Sequence, residues 1–412
     1  MKTKIFLLAL LFCIQSNAQT TFKTMFYNLL NYPTAPPTDR NTILKNILND
    51  YQPDIFMVCE LESEIASEDI VNYSLGEINK NYAKATFVYN QSDTSTDSSL
   101  QQELFYNSDY FTLVNQEEIL TNIRDINHYT LQLNTYNQNN TPILLEVFVT
   151  HLKASQGSYN QQLRYEMVQQ FTNALNNLDP NSYVIFAGDF NFYTSSENGY
   201  QEIVNPNNAI IMKDVLNMNT TLQSWHTNYS WKNIHTQATR LSNSDFNGYG
   251  AGGGLDDRFD FIMVSESITD NSDINYITNS YKSYGNNHNC YNKRIDNTTC
   301  TGEFSQETRN NLYNMSDHLP VVLELASNET LHNESLSIQN NLRLKGNVVS
   351  KNLILEINDL LRIKKAQILN PLGQIVIEKR IHKNDFEINV TGLKKGLYFL
   401  KIENYKFPFI KK

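Results

Sequence analysis

The sequence predicts an α/β protein with helices packed against its sheet, followed by a small antiparallel β domain. Two observations carry the first part: short apolar runs rich in β-branched and aromatic residues, and amphipathic segments of helical period between some of them. A change of texture after Leu325 carries the second.

FKTMFYNLL, PDIFMVCEL, TPILLEVFVTHL, SYVIFAGDF, RFDFIMVS and PVVLEL each have the length and composition of a strand. NTILKNILNDY places Ile43, Ile47 and Leu48 on one helical face, and YNQQLRYEMVQQFTNALNNL places Leu163, Met167, Phe171 and Leu175 on another. Beyond Leu325, SNETLHNESLSIQNN is polar and lacks a clear period, which reads as a linker. LILEINDL, AQILNPLGQIVIEK, FEINVTGL and GLYFLKIE then alternate apolar and polar residues around turn signals, as an antiparallel β domain does. The expected boundaries are 1–19 for a leader, 20–326 for the main domain, 327–340 for the linker and 341–412 for the C-terminal domain.

The leader expectation rests on MKTKIFLLALLFCIQSNAQT, with two lysines, a short apolar stretch and a small, polar end: the layout of a secretory signal cut after Ala18 or Gln19. Phe12 is bulky where lipoprotein signals carry a small residue, which argues against a lipid anchor on Cys13. No other stretch is long and apolar enough to suggest a membrane span. Export to an oxidising compartment makes Cys290 and Cys300 the natural disulfide and leaves Cys59 a buried thiol. Three unpaired thiols are the alternative, and without a Cys-x-x-Cys pair no zinc site is supported.

The net charge is −10, yet residues 346–412 hold 13 basic and 6 acidic side chains, so the preceding part is strongly acidic. That excludes broad electrostatic capture of nucleic acid but not a cation-filled site.

Chemistry is concentrated where apolar runs end. VIFAGDFNFY meets Asp189 and then Asn191, which strand alternation would aim together beyond the strand end. Alone this pair reads as a turn in which Asp and Asn cap backbone groups. The event recurs, however: PDIFMVCE ends on Glu60, EVFVTH ends on His151, RFDFIMV holds Asp260 among aromatics, and MSDHLPVVLEL sets Asp317 and His318 before a strand. Asn28 stands at the end of the first run. Isolated buried carboxylates cost several kcal/mol, so a shared site at one rim of the sheet, relieved by a divalent cation, is the cheaper explanation.

In order, the series YN, CE, TH, GDFN, RFDF and SDHLP resembles the endonuclease/exonuclease/phosphatase superfamily, which includes deoxyribonucleases, abasic-site endonucleases, sphingomyelinases and inositol polyphosphate phosphatases. HTQATR followed by GGGLDDRFDFI resembles a secreted bacterial branch of it. The resemblance implies a four-layer α/β sandwich, two packed β-sheets flanked by helices, with the site at one end. It implies Mg²⁺ or Mn²⁺ on Glu60, with Asn28 and Asp317 beside it, and a structural Ca²⁺ stays open. Asp189 would orient or deprotonate the attacking water, and Asn191 would hold a phosphate oxygen or steady Asp189. His151 and His318 would donate to phosphoryl oxygens, and Asp260 would fix the His318 tautomer. Arg124 and Arg240 are candidate substrate contacts, each with a structural ion pair as the alternative. The Pro-Leu-Gly-Gln turn, the Gly-Leu-Tyr-Phe-Leu-Lys-Ile strand and the lysine-rich end resemble the C-terminal sorting domain of the type IX secretion system, which implies that machinery as a partner and a secreted or surface-attached protein.

These readings together describe a monomeric, exported, metal-dependent phosphodiesterase with nucleic acid, DNA foremost, as substrate. A lipid phosphodiesterase or phosphomonoesterase on the same scaffold is the alternative, for which Trp225 and Trp231 in SWHTNYSW would supply a membrane-docking hairpin. A non-catalytic surface protein has no need for all eight of these polar residues.

Overall fold

The computed structural model describes residues 19–78, 80–92, 100–135, 138–216, 223–270, 273–329, 331, 342–357, 365–380, 387–402 and 405–412. The expected leader, Cys13 and most of the expected linker lie outside the described residues. The chain divides into two compact units, Met1–Leu331 and His332–Lys412.

In the first unit the elements run β1 (Thr20–Tyr32), α1 (Arg40–Tyr51), β2 (Ile55–Leu61), α2 (Glu64–Asp69), β3 (Tyr82–Lys84), β4 (Gln101–Asn107), β5 (Phe111–Ile119), β6 (Ile126–Leu133), β7 (Leu144–His151), α3 (Ser158–Leu175), β8 (Tyr183–Asp189), α4 (Asn198–Ile203) and β9 (Met212–Lys213). They continue through β10 (Asp260–Ser265), α5 (Glu266–Thr269), β11 (Asn275–Tyr276), β12 (Lys282–Ser283), α6 (Gln306–Met315) and β13 (Val321–Ser327). A seven-stranded sheet has the order β11-β13-β1-β2-β4-β3, with β12 also pairing β13, and a six-stranded sheet has the order β5-β6-β7-β8-β10-β9.

The inner faces of the two sheets share one core. Phe22, Phe26, Ile55, Met57 and Leu104 from the first pack with Tyr129, Val147, Val149, Ile185 and Ile262 from the second. On the outer face of the first sheet, Ile43, Leu44, Ile47 and Leu48 of α1 and Leu312 and Met315 of α6 meet Met25, Tyr27, Phe56 and Val58. On the outer face of the second, Met167, Val168, Phe171 and Leu175 of α3 meet Phe148, Val184 and Phe186. The result is helix, sheet, sheet, helix: the four-layer α/β sandwich expected.

Each sheet holds one parallel pair, β1 with β2 and β7 with β8, and in each the crossover contains a helix, α1 or α3. The two βαβ units therefore point the C-terminal ends of their parallel strands out of the shared core, where α/β proteins commonly place ligands. The strands β4, β5 and β6 are absent from the expected set: on β5 one face is exposed and charged, so no long apolar run marks it.

The second unit is a small β domain of two sheets, one of three strands and one of five. It encloses Leu353, Leu355, Ala366, Ile368, Leu400, Ile402 and Phe409. Its pairings are antiparallel with one exception: Val348 and Val349 pair in parallel with the last strand, at Ile410 and Lys411. Cys290 and Cys300 are joined in a disulfide, and Cys59 is a buried free thiol.

Candidate metal and phosphoryl-transfer site

The inner faces of the strands continue past the apolar core into polar residues at one end. Phe22, Thr24, Phe26 and Asn28 alternate on β1; Val147, Val149 and His151 on β7; Ile185, Ala187 and Asp189 on β8; and Ile262 and Asp260 on β10. Register locks the second set together, His151 opposite Asp189 and Asp189 opposite Asp260. The close approach requires Gly188, where a Cβ would stand 2.3 Å from the Thr150 carbonyl oxygen.

Asp189, 2% exposed, is the hub. Its Oδ1 accepts from Asn191 Nδ2 at 2.8 Å and its Oδ2 from Asn28 Nδ2 at 3.1 Å. The Nε2 atoms of His151 and His318 lie 3.5 Å and 3.7 Å from the same Oδ2. Asn191 does not reach Asp189 by strand alternation. The strand stops at Asp189, and Asn191 takes a left-handed conformation (φ 54°) that folds its amide back onto the carboxylate.

Three other rim residues, Leu30, Asn31 and Glu60, also have positive φ, at sites where the β1–β2 and β2–β4 registers shift. Such backbone is costly for non-glycine residues and here turns Glu60 toward the cluster. Glu60 Oε1 accepts from Asn28 Nδ2 at 2.9 Å and Oε2 from the Asn31 N–H at 3.0 Å. Asn28, an expected oxygen ligand, accepts from the Leu30 N–H at 2.9 Å through Oδ1, which keeps a second lone pair, and its amide nitrogen bridges Glu60 and Asp189. It acts as a donor that holds two carboxylates in register.

Asp317 and His318 arrive on the segment between α6 and β13. The Asp317 Oδ2 accepts from Gln237 Nε2 at 2.8 Å and from the Ala251 N–H at 2.7 Å. Gly250 lets the loop approach, since a Cβ there would stand 2.9 Å from Asp317 Cγ. His318 Nδ1 lies 2.8 Å from Asp260 Oδ2, while its Nε2 faces Gln237 Nε2 at 2.7 Å and Asn28 Nδ2 at 3.5 Å.

Electrostatics divides the two histidines. Burial alone would lower the His318 pKa, but the carboxylates of Asp260, Asp317 and Asp189 outweigh it and hold the imidazole charged, well above its ordinary value. His151 goes the other way: burial first, then the charges of Arg124, His318 and Lys153, keep it neutral. Burial raises the Asp189 carboxyl to about 7 against the pull of His318. Burial and then the charge of Asp317 raise Glu60 as well.

A divalent cation fits this donor set. Ligand atoms of Glu60, His151 and Asp189 lie within 4.8 Å of one another, as do those of Asp189, Asp260 and His318. Asp317 Oδ1 is buried with no hydrogen-bond partner. No lysine or arginine among the described residues forms an ion pair with Glu60, Asp189 or Asp317. Hard carboxylate oxygens with uncompensated charge are what Mg²⁺ and Mn²⁺ prefer.

The two arginines take other parts. Arg240 is fully buried, donates through Nε and Nη2 to the Tyr313 carbonyl at 3.1 Å, and lies over the Phe246 ring. These contacts are structural, and they leave its Nη1 buried without a hydrogen-bond partner. Arg124, 4% exposed, donates from Nη1 to the carbonyls of His151 and Leu152 and so buttresses the end of β7. Neither forms the ion pair weighed as its alternative.

Gln237 and Arg40 also hold parts of the cluster in place, and the sequence does not single them out. Gln237 lies inside HTQATR, but an amide in a loop carries no signature of its own. Arg40, in the first turn of α1, donates to the carbonyls of Leu29, Leu30, Ala35 and Met315. One guanidinium thus ties the loop after Asn28 to the end of α6 that precedes Asp317. Trp225 is fully buried and donates its indole N–H to the Phe192 carbonyl at 2.7 Å, so it forms no docking hairpin.

No curated protein matches the chain. Residues 347–412 match the model of the secretion system C-terminal sorting domain. The tail addresses the chain to that machinery, and the protein is secreted or attached at the cell surface. Among the described residues no helix is long and apolar enough to cross a membrane. Solved structures of similar shape include an endonuclease/exonuclease/phosphatase family protein from Bacteroides thetaiotaomicron, 15% identical over 75% of this chain and 98% of that one, with a TM-score of 0.47. The human Nocturnin catalytic domain with bound sulfate is 16% identical over 74% of this chain and 97% of that one, TM-score 0.47. Danio rerio TDP2 complexed with single-strand DNA product is 14% identical over 74% and 99%, TM-score 0.47. At such identities and scores these are likenesses only, and the chemistry is read from the chain's own residues.

Proposed function

We propose that the protein is an exported, divalent-metal-dependent phosphodiesterase that hydrolyses nucleic acid, DNA foremost, by in-line attack of water on phosphorus. The observation that carries this reading is the Asp189 hub: a buried carboxylate held on both oxygens by Asn28 and Asn191, with a charged and a neutral histidine beside it.

Glu60 and Asp317, through its unpartnered Oδ1, would hold Mg²⁺ or Mn²⁺, which supplies charge neutralisation at a phosphoryl oxygen. Asp189 takes the proton of the attacking water. Its pKa near 7 suits a base working near neutrality, and the two asparagine amides fix its oxygens. His318, held charged and oriented by Asp260, donates from Nε2 to the phosphoryl oxygen on which charge builds. His151 stays neutral and donates a second hydrogen bond. Gln237 aligns Asp317 with His318. No covalent intermediate is required.

The test uses the purified chain on plasmid DNA, RNA, sphingomyelin and p-nitrophenyl phosphate, each with Mg²⁺, Mn²⁺, Ca²⁺ or EDTA, beside Asp189→Ala and His318→Ala. Cation-dependent cleavage of DNA, lost in both variants, is the expected outcome. Cleavage of sphingomyelin or the monoester with intact DNA and RNA would overturn the choice of substrate.

A further inference from the structure

Beside the cluster lies a row of aromatic rings that the chemistry above leaves unused. Tyr193, two residues past Asn191, is half-buried, and the His226 ring stands edge-on to it with centroids 5.0 Å apart. His226 Nδ1 is paired with Asp257, and its Nε2 faces Gln156 Nε2 at 2.9 Å. The His226 side chain remains 32% exposed. The next residue, Thr227, offers its carbonyl to the Tyr291 hydroxyl at 2.7 Å, and Tyr291 packs edge-on against Tyr229 with centroids 5.3 Å apart. Tyr229 is 60% exposed.

The row is anchored to the reaction centre at its inner end. Gln237 bridges in the backbone to Asp257 on one side and to His318 on the other. Arg164 and Glu197 brace the same end: Arg164 donates to the carbonyls of Lys153 and Ser155, and Glu197 accepts from the Tyr193 N–H. Lysines mark both ends, Lys153 in the loop that carries Gln156 and Lys232 over the Tyr229 ring at 4.2 Å.

Tyr229 is not the one exposed tyrosine of the chain, but it is joined through Tyr291 and Thr227 to a row that leads to the cluster. A core aromatic would be covered, and a helix or sheet face awaiting a protein would be aliphatic and continuous. Edge-on packing takes up ring edges, and a cation lies over one face of each end ring, Lys232 on Tyr229 and Arg164 on Tyr193; aromatic rings with cations beside them match an unstacked base and its phosphate. A paired duplex hides its base faces and offers the row only its backbone.

Resting on the nuclease reading above, we infer that Tyr193, His226, Tyr291 and Tyr229 form a track for unpaired bases, and that the substrate class is single-stranded nucleic acid. His226, held by Asp257, is a positioning residue at the junction between track and cluster.

The experiment is fluorescence anisotropy of the full chain in EDTA with three probes: a short labelled single-stranded oligodeoxynucleotide, the same sequence as a duplex, and an abasic strand of equal length. Wild type should hold the single strand about tenfold more tightly than the duplex, and Tyr229→Ala should lose about tenfold on the single strand. Tyr229→Phe should restore binding, and the abasic strand should bind wild type and Tyr229→Ala alike. Equal binding of duplex and single strand, no loss in Tyr229→Ala, or an equal loss on the abasic strand overturns the track. If the binding pattern holds but no nucleic acid is cleaved with metal present, the proposed function fails and the track stands. Cleavage indifferent to Tyr229 has the opposite meaning.

Discussion

In the first βαβ unit Asn28 stands where His151 stands in the second, and Glu60 follows by one residue the position that Asp189 takes there. Both units end a parallel strand pair at the same rim, with Asn28 opposite Cys59 and His151 opposite Asp189. The second stays regular to its last pair, and its carboxylate remains buried. The first breaks register after Asn28, and left-handed backbone at Glu60 turns its carboxylate toward the cluster while leaving the residue only partly buried. In the proposed mechanism the first of these strand ends supplies an oxygen ligand for the cation and the second supplies the base. Local backbone, rather than residue type, separates the two parts.

Breaking the second unit should cost most. Asp189→Asn keeps the shape and one of the two amide contacts, its NH2 being unable to accept the other, and it removes the proposed base, so kcat should fall by about a thousandfold at saturating metal. His318→Ala should fall by a similar factor. Comparable losses in KM with kcat retained, measured on the same substrate, would assign the second unit to binding instead.

Breaking the first unit should show mainly in the metal dependence. Glu60→Gln removes a ligand's charge, and the metal concentration for half-maximal rate should rise by about a hundredfold. If added Mn²⁺ fails to recover any of the rate, Glu60 belongs with Asp189 and the division between the units is wrong. Arg40→Lys sharpens the contrast further, because the guanidinium braces only the first unit and the Asp317 segment. An ammonium cannot serve four carbonyls in two places, so stability should fall by about 1–3 kcal/mol with a raised metal requirement.

The parts of the site that end apolar runs were legible because the pattern is abrupt: a buried strand that stops on Glu60, His151 or Asp189 has no cheap structural excuse. The fold was legible for the same reason, since β1, β2, β7, β8, β10 and β13 are apolar runs of strand length, whereas β4 and β6 are as buried but interleave polar residues, QQELFYN and INHYTLQL. The loops were not. Arg258, next to GGGLDD, pairs fully buried with Asp214 at 2.7 Å and 3.0 Å. Asp214 is 44 residues away in sequence, and no period joins the two. His226 and Asp257 are brought together by irregular backbone between β9 and β10, where neither helical nor strand spacing applies. Gln237 needs the pairing of three segments before its amide has a role.

Glu103 gives the smallest effect and the cleanest control. It lies on β4 of the first sheet opposite Val58, fully buried, with Lys84 at 3.5 Å as its ion-pair partner. Burial raises its carboxyl to about 7 against the opposing pull of the Lys84 charge, and both of its oxygens are buried without a hydrogen-bond partner. The folded state therefore holds a proton that the unfolded chain has released, and stability falls as pH rises from the ordinary 4.5 to about 7. Glu103→Gln should raise Tm above pH 7 and leave it little changed at pH 4, because the amide mimics the protonated acid. Thermal melts across that range, with and without Mn²⁺, separate it from the cluster. The gain from Mn²⁺ should persist in Glu103→Gln and vanish in Glu60→Gln, since Glu103 lies under α2 with its own cation while Glu60 has none. A Mn²⁺ gain that disappears in Glu103→Gln would mean that the cation is held by buried charge throughout the first sheet, and not by the rim where its strands end.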